Sequence, residues 1–103
     1  MGYKLIIAKE AHEDISDIVG YIIHELKNRQ AATGFIDDLE ASYRKVIQNP
    51  QIYSLCNDKR LAFLGYRKII IKNYLILYRI DEKDNVIYIV RVVYGGRNYP
   101  EML

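Results

Sequence analysis

Gly65-Tyr66-Arg67-Lys68-Ile69-Ile70-Ile71-Lys72-Asn73-Tyr74-Leu75-Ile76-Leu77-Tyr78-Arg79-Ile80 is the stretch that decides the fold. Two runs rich in isoleucine and tyrosine flank Lys72-Asn73, which marks a tight hairpin turn. A polar turn, Asp81-Glu82-Lys83-Asp84-Asn85, leads into a third apolar run, Val86 to Tyr94. Strands are predicted at about 65–72, 74–81 and 86–94, joined as a meander.

Strand parity then assigns faces. With Ile71 opposite Tyr74, one face carries Arg67, Ile69, Ile71, Tyr74, Ile76, Tyr78 and Ile80. Lys68, Ile70, Lys72, Leu75, Leu77 and Arg79 lie on the other. In the third run, Val86, Tyr88, Val90, Val92 and Tyr94 alternate with Ile87, Ile89, Arg91 and Val93. Packing the tyrosine face inward would expose Arg79 and Arg91 among Leu75, Leu77, Ile87, Ile89 and Val93. That is a large apolar patch rimmed by cations. It predicts a docking site for a segment that is apolar on one face and acidic on the other. The competing expectation is that the chain itself, or a second copy, covers this face.

Upstream, Tyr3-Lys4-Leu5-Ile6-Ile7-Ala8 predicts a short strand. Ala11, Ile15, Ile18, Val19, Ile22, Ile23 and Leu26 then recur at helical spacing, with Glu10, Glu13, Asp14 and Asp17 near the start, where carboxylates favour the helix dipole. Asn28 is a break and N-cap for a second helix with the stripe Ala31, Ala32, Phe35, Leu39, Tyr43, Val46 and Ile47. Asn49-Pro50 ends it, because proline disfavours a helical residue before it. The connection is short, so the helices should form an antiparallel hairpin. Gly34 inside the second helix costs roughly 1 kcal/mol against alanine, to be offset if the helices approach closely there. Residues 51–64 read as a loop with one helical turn. The expected fold is α+β, in the order β-α-α-β-β-β, a helical hairpin on a small, mainly antiparallel sheet.

Composition bounds the rest. The chain has 103 residues, half of them hydrophobic, and reads as a single domain, 1–103. It has neither a secretory apolar region nor a run of about 18 apolar residues, so a soluble cytoplasmic protein is expected. The single cysteine, Cys56, excludes an internal disulfide, and with only two histidines, His12 and His24, no metal site is expected. No cofactor is expected either. Charge is unevenly spread: residues 1–58 hold 6 Lys/Arg against 9 Asp/Glu (net −3), and residues 59–103 hold 9 against 4 (net +5). The basic half predicts an anionic or acidic partner.

Within that half, Arg97 follows Gly95-Gly96, which allows a tight turn and leaves the side chain at an edge. It either meets a partner or caps the sheet by pairing with Glu101. Arg67, Arg79 and Arg91 suit phosphate or carboxylate, since the guanidinium binds either in bidentate fashion. The alternative is a ladder with acidic neighbours. Ten tyrosines and no tryptophan invite a base-stacking reading. Tyr74, Tyr78 and Tyr88 alternate with the core face, however, so that role falls to Tyr94 and Tyr99.

The chain resembles the RelE/ParE toxin superfamily of bacterial type II toxin–antitoxin modules. The resemblance rests on the Ile15–Leu26 stripe, Ala31-Ala32 with Phe35 and Leu39, Pro50, Gly65-Tyr66-Arg67, Asn73 to Ile80, and Val90-Arg91-Val92-Val93-Tyr94-Gly95-Gly96-Arg97. It covers nearly the whole chain and is closer to the ParE branch. It implies a growth-inhibiting toxin neutralised by a cognate antitoxin, with a higher-order toxin–antitoxin complex among its implied assemblies and plasmid stabilisation as a role. RelE-like toxins cleave mRNA on the ribosome; ParE-like toxins poison DNA gyrase.

Carried over residue by residue, the nuclease pattern is incomplete. Its basic pair matches Arg67 and Lys68, and its terminal arginine matches Arg97. Its late tyrosine has only Tyr99 nearby, and its middle arginine falls on Leu75, which cannot stabilise a phosphate. The resemblance therefore implies a gyrase-directed toxin that is not itself an enzyme, with the ribosome-dependent endoribonuclease and a non-toxic interaction module as alternatives. Target contact is expected at Arg97, Tyr94, Tyr99 and Arg67. Antitoxin contact is expected at Leu75, Leu77, Arg79, Ile89 and Arg91. If the chain is a nuclease, Arg67, Lys68, Arg97 and Tyr99 are the catalytic candidates.

Overall fold

Asn28 sets the geometry of the helical layer. Its side-chain oxygen accepts from the Ala31 N–H at 3.0 Å, which caps α2, Arg29–Gln48. Just before it, Lys27 takes a left-handed φ of +50°, so the chain reverses directly out of α1, Lys9–His24. Leu26, expected on the α1 stripe, lies past the helix end and is exposed. Asn49 ends α2 immediately before Pro50, as expected. The computed structural model describes residues 2–95 and 99–103.

The remaining elements are β1, Lys4–Ile7; α3, Lys59–Phe63; β2, Arg67–Ile71; β3, Tyr74–Asp81; β4, Val86–Tyr94; and a closing 3₁₀ turn, Tyr99–Met102. The sheet order is β1-β4-β3-β2. β1 runs parallel to β4, with Lys4 opposite Val86, and the other pairs are antiparallel. Ile71 pairs with Tyr74 across the Lys72-Asn73 turn, as parity requires. The fold is therefore the expected α+β arrangement.

Two apolar clusters hold it together, one on each face of the sheet. Ile69, Ile71, Ile76, Tyr78, Ile87, Ile89 and Val92 meet Ala11, Ile22, Ala32, Phe35, Leu39 and Val46 of the helices. On the opposite face, Leu75, Leu77 and Val93 join Cys56 and Leu61, with Tyr66, Val90, Tyr99 and Leu103 packed around them. Burying apolar surface on both faces suits a chain this short, which has little core to spare.

The second cluster corrects the expectation of an exposed apolar sheet face. Leu75 is 8% exposed, Leu77 0% and Val93 6%, because α3 and the C-terminal turn cover them. Ile87 and Ile89 are buried on the helix side instead. The cause is a β-bulge: Leu77 pairs with Arg91 and Tyr78 with Ile89, which leaves Val90 without a partner. The extra residue breaks the alternation assumed for β4. It also turns Tyr88 away from the core face, where the Arg79 guanidinium sits 4.5 Å from its ring centroid.

The segment before β2 is more ordered than a loop. Asp58 caps α3 by accepting from the Leu61 N–H at 3.0 Å. Residues 54–56 add briefly to the edge of β2, through a Leu55–Arg67 bridge and the bonds Cys56 N–H to Tyr66 O and Lys68 N–H to Ser54 O. The close helix approach considered at Gly34 is absent: a Cβ there would meet nothing within 4 Å.

Candidate functional site

The cations of the sheet can be followed one by one, and each has a distinct surrounding. Arg67 lies on the helix-facing side, opposite Tyr78. Its Nη1 donates to the Tyr53 carbonyl at 2.7 Å. Tyr78, fully buried beside it, donates its hydroxyl to the Pro50 carbonyl at 2.8 Å and packs edge-on against Tyr53. Burial pushes the Tyr78 phenol up to about 12. Arg67 thus pins the loop after α2 to the sheet.

Arg91 is turned towards α1. Its Nε donates to Asp14 Oδ2 at 2.7 Å and its Nη2 to Oδ1 at 3.0 Å. The same Oδ2 accepts from the Val92 N–H at 2.9 Å. The Asp14 hydrogen bond raises the Arg91 pKa above its ordinary value. Arg91 is therefore a tether between the helical layer and β4, partly exposed and paired with Asp14, as the alternative of an acidic neighbour anticipated. Arg79 and Arg91 both keep partly solvent-facing side chains, Arg79 over Tyr88 and Arg91 in its pair with Asp14.

Lys68 follows Arg67 in the strand and lies on the opposite face, paired with Leu77. Tyr99 packs on that same outer side, against the second cluster, and burial raises its phenol pKa. The nuclease-type basic pair is thus split between two faces, while Lys68 and Tyr99 share one. Leu75 is inside the second cluster. Arg97 lies outside the described residues. Cys56 is buried, and burial pushes its thiol up, the reverse of what a nucleophile needs.

Tyr94 remains available for contact, 56% exposed at the end of β4. It stacks edge-on against Tyr74 with centroids 5.4 Å apart, and Tyr74 in turn meets Phe35 at 4.8 Å. Together with Asp17, Ile18, Tyr21, Leu26 and Asn73, these two tyrosines line a groove of about 610 Å³. Tyr21 and Leu26 were not expected here. Tyr21 sits beside the buried Ile22 on α1, and Leu26 is freed by the end of the helix. Among the described residues there is no group of three or more metal-ligating side chains, and no helix long and apolar enough to cross a membrane.

Comparison with known proteins agrees with this architecture. The ParE toxin family, described as the ParE toxin of the type II toxin–antitoxin system parDE, matches residues 5–99. A search of curated proteins finds no match. Among solved structures, the chromosomal ParDE system of P. aeruginosa is similar, with a TM-score of 0.69 at 15% identity over 89% of this chain and 95% of that one. The RelBE2 toxin–antitoxin complex of Mycobacterium tuberculosis gives 0.61 at 17% identity, over 91% and 99%. The intact E. coli RelBE complex gives 0.62 at 16%, over 92% and 99%. At these identities the structures share a fold with this chain. The family match, spanning nearly all of it, shows that the chain belongs to the ParE toxin family of type II toxin–antitoxin systems.

Proposed function

We propose that this toxin arrests growth by binding and poisoning DNA gyrase in the cytoplasm, and that a cognate antitoxin neutralises it. The observation that carries the choice of target is Leu75. It occupies the place of a nuclease arginine and is enclosed in the second apolar cluster, where no cation could reach a phosphate. The splitting of Arg67 from Lys68 supports the same reading, because cleavage by the RNA 2′-hydroxyl requires convergent cations around the phosphorane. Contact with gyrase is assigned to Tyr94 at the end of β4 and to Arg97 and Tyr99, which follow it in sequence, with Arg67 at the far end of β2, where it holds the loop after α2.

Purified protein added to gyrase and plasmid DNA should trap cleaved complexes and reduce supercoiling. Full supercoiling without trapped DNA would rule the proposal out. One observation favours the RelE-like alternative: Lys68 and Tyr99 share the outer side of the sheet. Primer extension on translated mRNA would then show codon-internal cuts that disappear in Arg97→Ala. Expression without antitoxin that leaves growth unchanged would instead indicate a non-toxic interaction module of the same fold.

A further inference from the structure

Asp14 and Asp17 stand three residues apart on α1 and differ in their partners. Asp14 is held by Arg91 and the Val92 N–H. Asp17 is exposed and makes no ion pair among the described residues. One helical turn on, Tyr21 shares its face and is 55% exposed. On the other wall of the groove, Tyr74 and Tyr94 lie directly opposite each other in β3 and β4, and Phe35 backs the Tyr74 ring. Burial, followed by the neighbouring phenols of Tyr94 and Tyr21, raises the Tyr74 pKa, so the three phenols lie close together. Ile18 and Leu26 complete the apolar lining, and Asp17 is the one charged side chain among the groove's described residues. A volume of about 610 Å³ falls within the range of roughly 300–1,000 Å³ that binding clefts occupy.

We propose that this groove receives an arginine side chain, flanked by apolar residues, from the protein target of the toxin. The guanidinium stacks on the exposed tyrosine rings and donates to the Asp17 carboxylate, while its apolar neighbours cover Ile18 and Leu26. The chain makes both kinds of contact with its own arginines. Arg79 sits 4.5 Å from the Tyr88 ring centroid, and Arg91 grips Asp14 with two hydrogen bonds. Lysine fits less well, because its ammonium is a strongly hydrated point charge with no plane to stack. A nucleic-acid base on Tyr94 would bring its phosphate towards Asp17, with no cation lining the groove to offset the repulsion. Naming the target as the source of the arginine rests on the assignment of Tyr94 to target contact; the preference for arginine rests on the groove alone.

The probe is a short capped peptide with leucine on either side of one arginine, titrated to millimolar concentration against the whole chain and read by NMR. Control peptides carry citrulline, lysine or glutamate in place of the arginine, and a short single-stranded oligonucleotide tests the base-stacking alternative. The arginine peptide is expected to shift Asp17, Tyr21, Tyr74 and Tyr94 and to bind more tightly than every control. Asp17→Asn should weaken it about tenfold and leave the citrulline peptide unaffected, a pattern that general loss of structure would not give. Absence of binding, equal binding of the citrulline or glutamate peptide, preference for the oligonucleotide, or shifts confined to other surfaces would overturn the proposal. Self-association of the chain that Asp17→Asn abolishes would overturn it in favour of a second copy. The gyrase assay on the unsubstituted protein reads the other proposal separately. Poisoning without peptide binding removes only the groove, and peptide binding without poisoning removes only the choice of target. Peptide binding together with full poisoning by Asp17→Asn would show that the arginine does not come from the target.

Discussion

Asp14 and Arg91 stand 77 residues apart in sequence and are joined by two parallel hydrogen bonds of 2.7 and 3.0 Å. Asp14 also accepts from the Val92 backbone, so it serves three donors, whereas Arg91 serves one carboxylate. Removing Asp14 therefore strands both a guanidinium and a strand N–H. Asp14→Ala is expected to cost about 2–3 kcal/mol. Arg91→Met, which keeps apolar length and leaves Asp14 its bond to Val92, should cost less. Urea midpoints of the two variants measure the difference, and equal losses would contradict it.

Two tyrosine hydroxyls should respond in opposite ways to deletion. Among the described residues the buried Tyr43 hydroxyl has no hydrogen-bond partner, so Tyr43→Phe removes an unsatisfied group and should be neutral or stabilising. The Tyr78 hydroxyl donates to Pro50, so Tyr78→Phe should lose about 1 kcal/mol and loosen the loop after α2. Thermal denaturation of both variants reads the sign of each.

The same two residues give an alkaline limit to stability. Burial raises the pKa of Tyr43 to about 12 and that of Tyr78 to about 12, against the ordinary value of 10.0 in the unfolded chain. Below the unfolded value both states hold the proton and the contribution is complete. Above it the unfolded chain releases protons that the folded chain retains, so stability falls as pH rises towards the folded value. Tyrosinate absorbance should show two late-titrating groups whose ionisation accompanies unfolding. Their titration alongside exposed tyrosines, with the fold intact, would contradict this.

Gly20 and Gly34 lie inside α1 and α2, and a Cβ at either would meet nothing within 4 Å. Each glycine therefore carries backbone entropy with no packing return. Gly20→Ala and Gly34→Ala should each stabilise by about 0.5–1 kcal/mol, raising Tm by roughly 2–8 °C. A falling Tm would mean that a helix shifts to reject the methyl group.

Local chemistry made most of the architecture legible in sequence. Asn28 caps α2, Pro50 ends the helical layer and Lys72-Asn73 turns the hairpin, because each acts through its own backbone neighbourhood. The inward face of β3 followed from parity. β4 did not, since Val86–Tyr94 is apolar on both faces and a single extra residue leaves no mark in such a run. Asp14 looked like an ordinary N-terminal helix carboxylate because its partner lies in the last strand. The covering of Leu75 and Leu77 depends on Leu61 and Cys56, which sit in a stretch with little periodicity.

The unpaired Val90 links these two surprises. Without it, β4 would alternate evenly, and Arg91, which pairs with the outer-cluster residue Leu77, would lose the added local twist that a bulge gives a strand and that helps it reach Asp14. Asp14 would then be a partly buried carboxylate held by one backbone amide. The extra residue in the strand and the acid on the helix therefore form one heritable unit. Relatives that have closed the bulge should be free to abandon the acid, and those that keep it should retain both. A change in strand length at one end of the chain would then be recorded as a change of charge at the other.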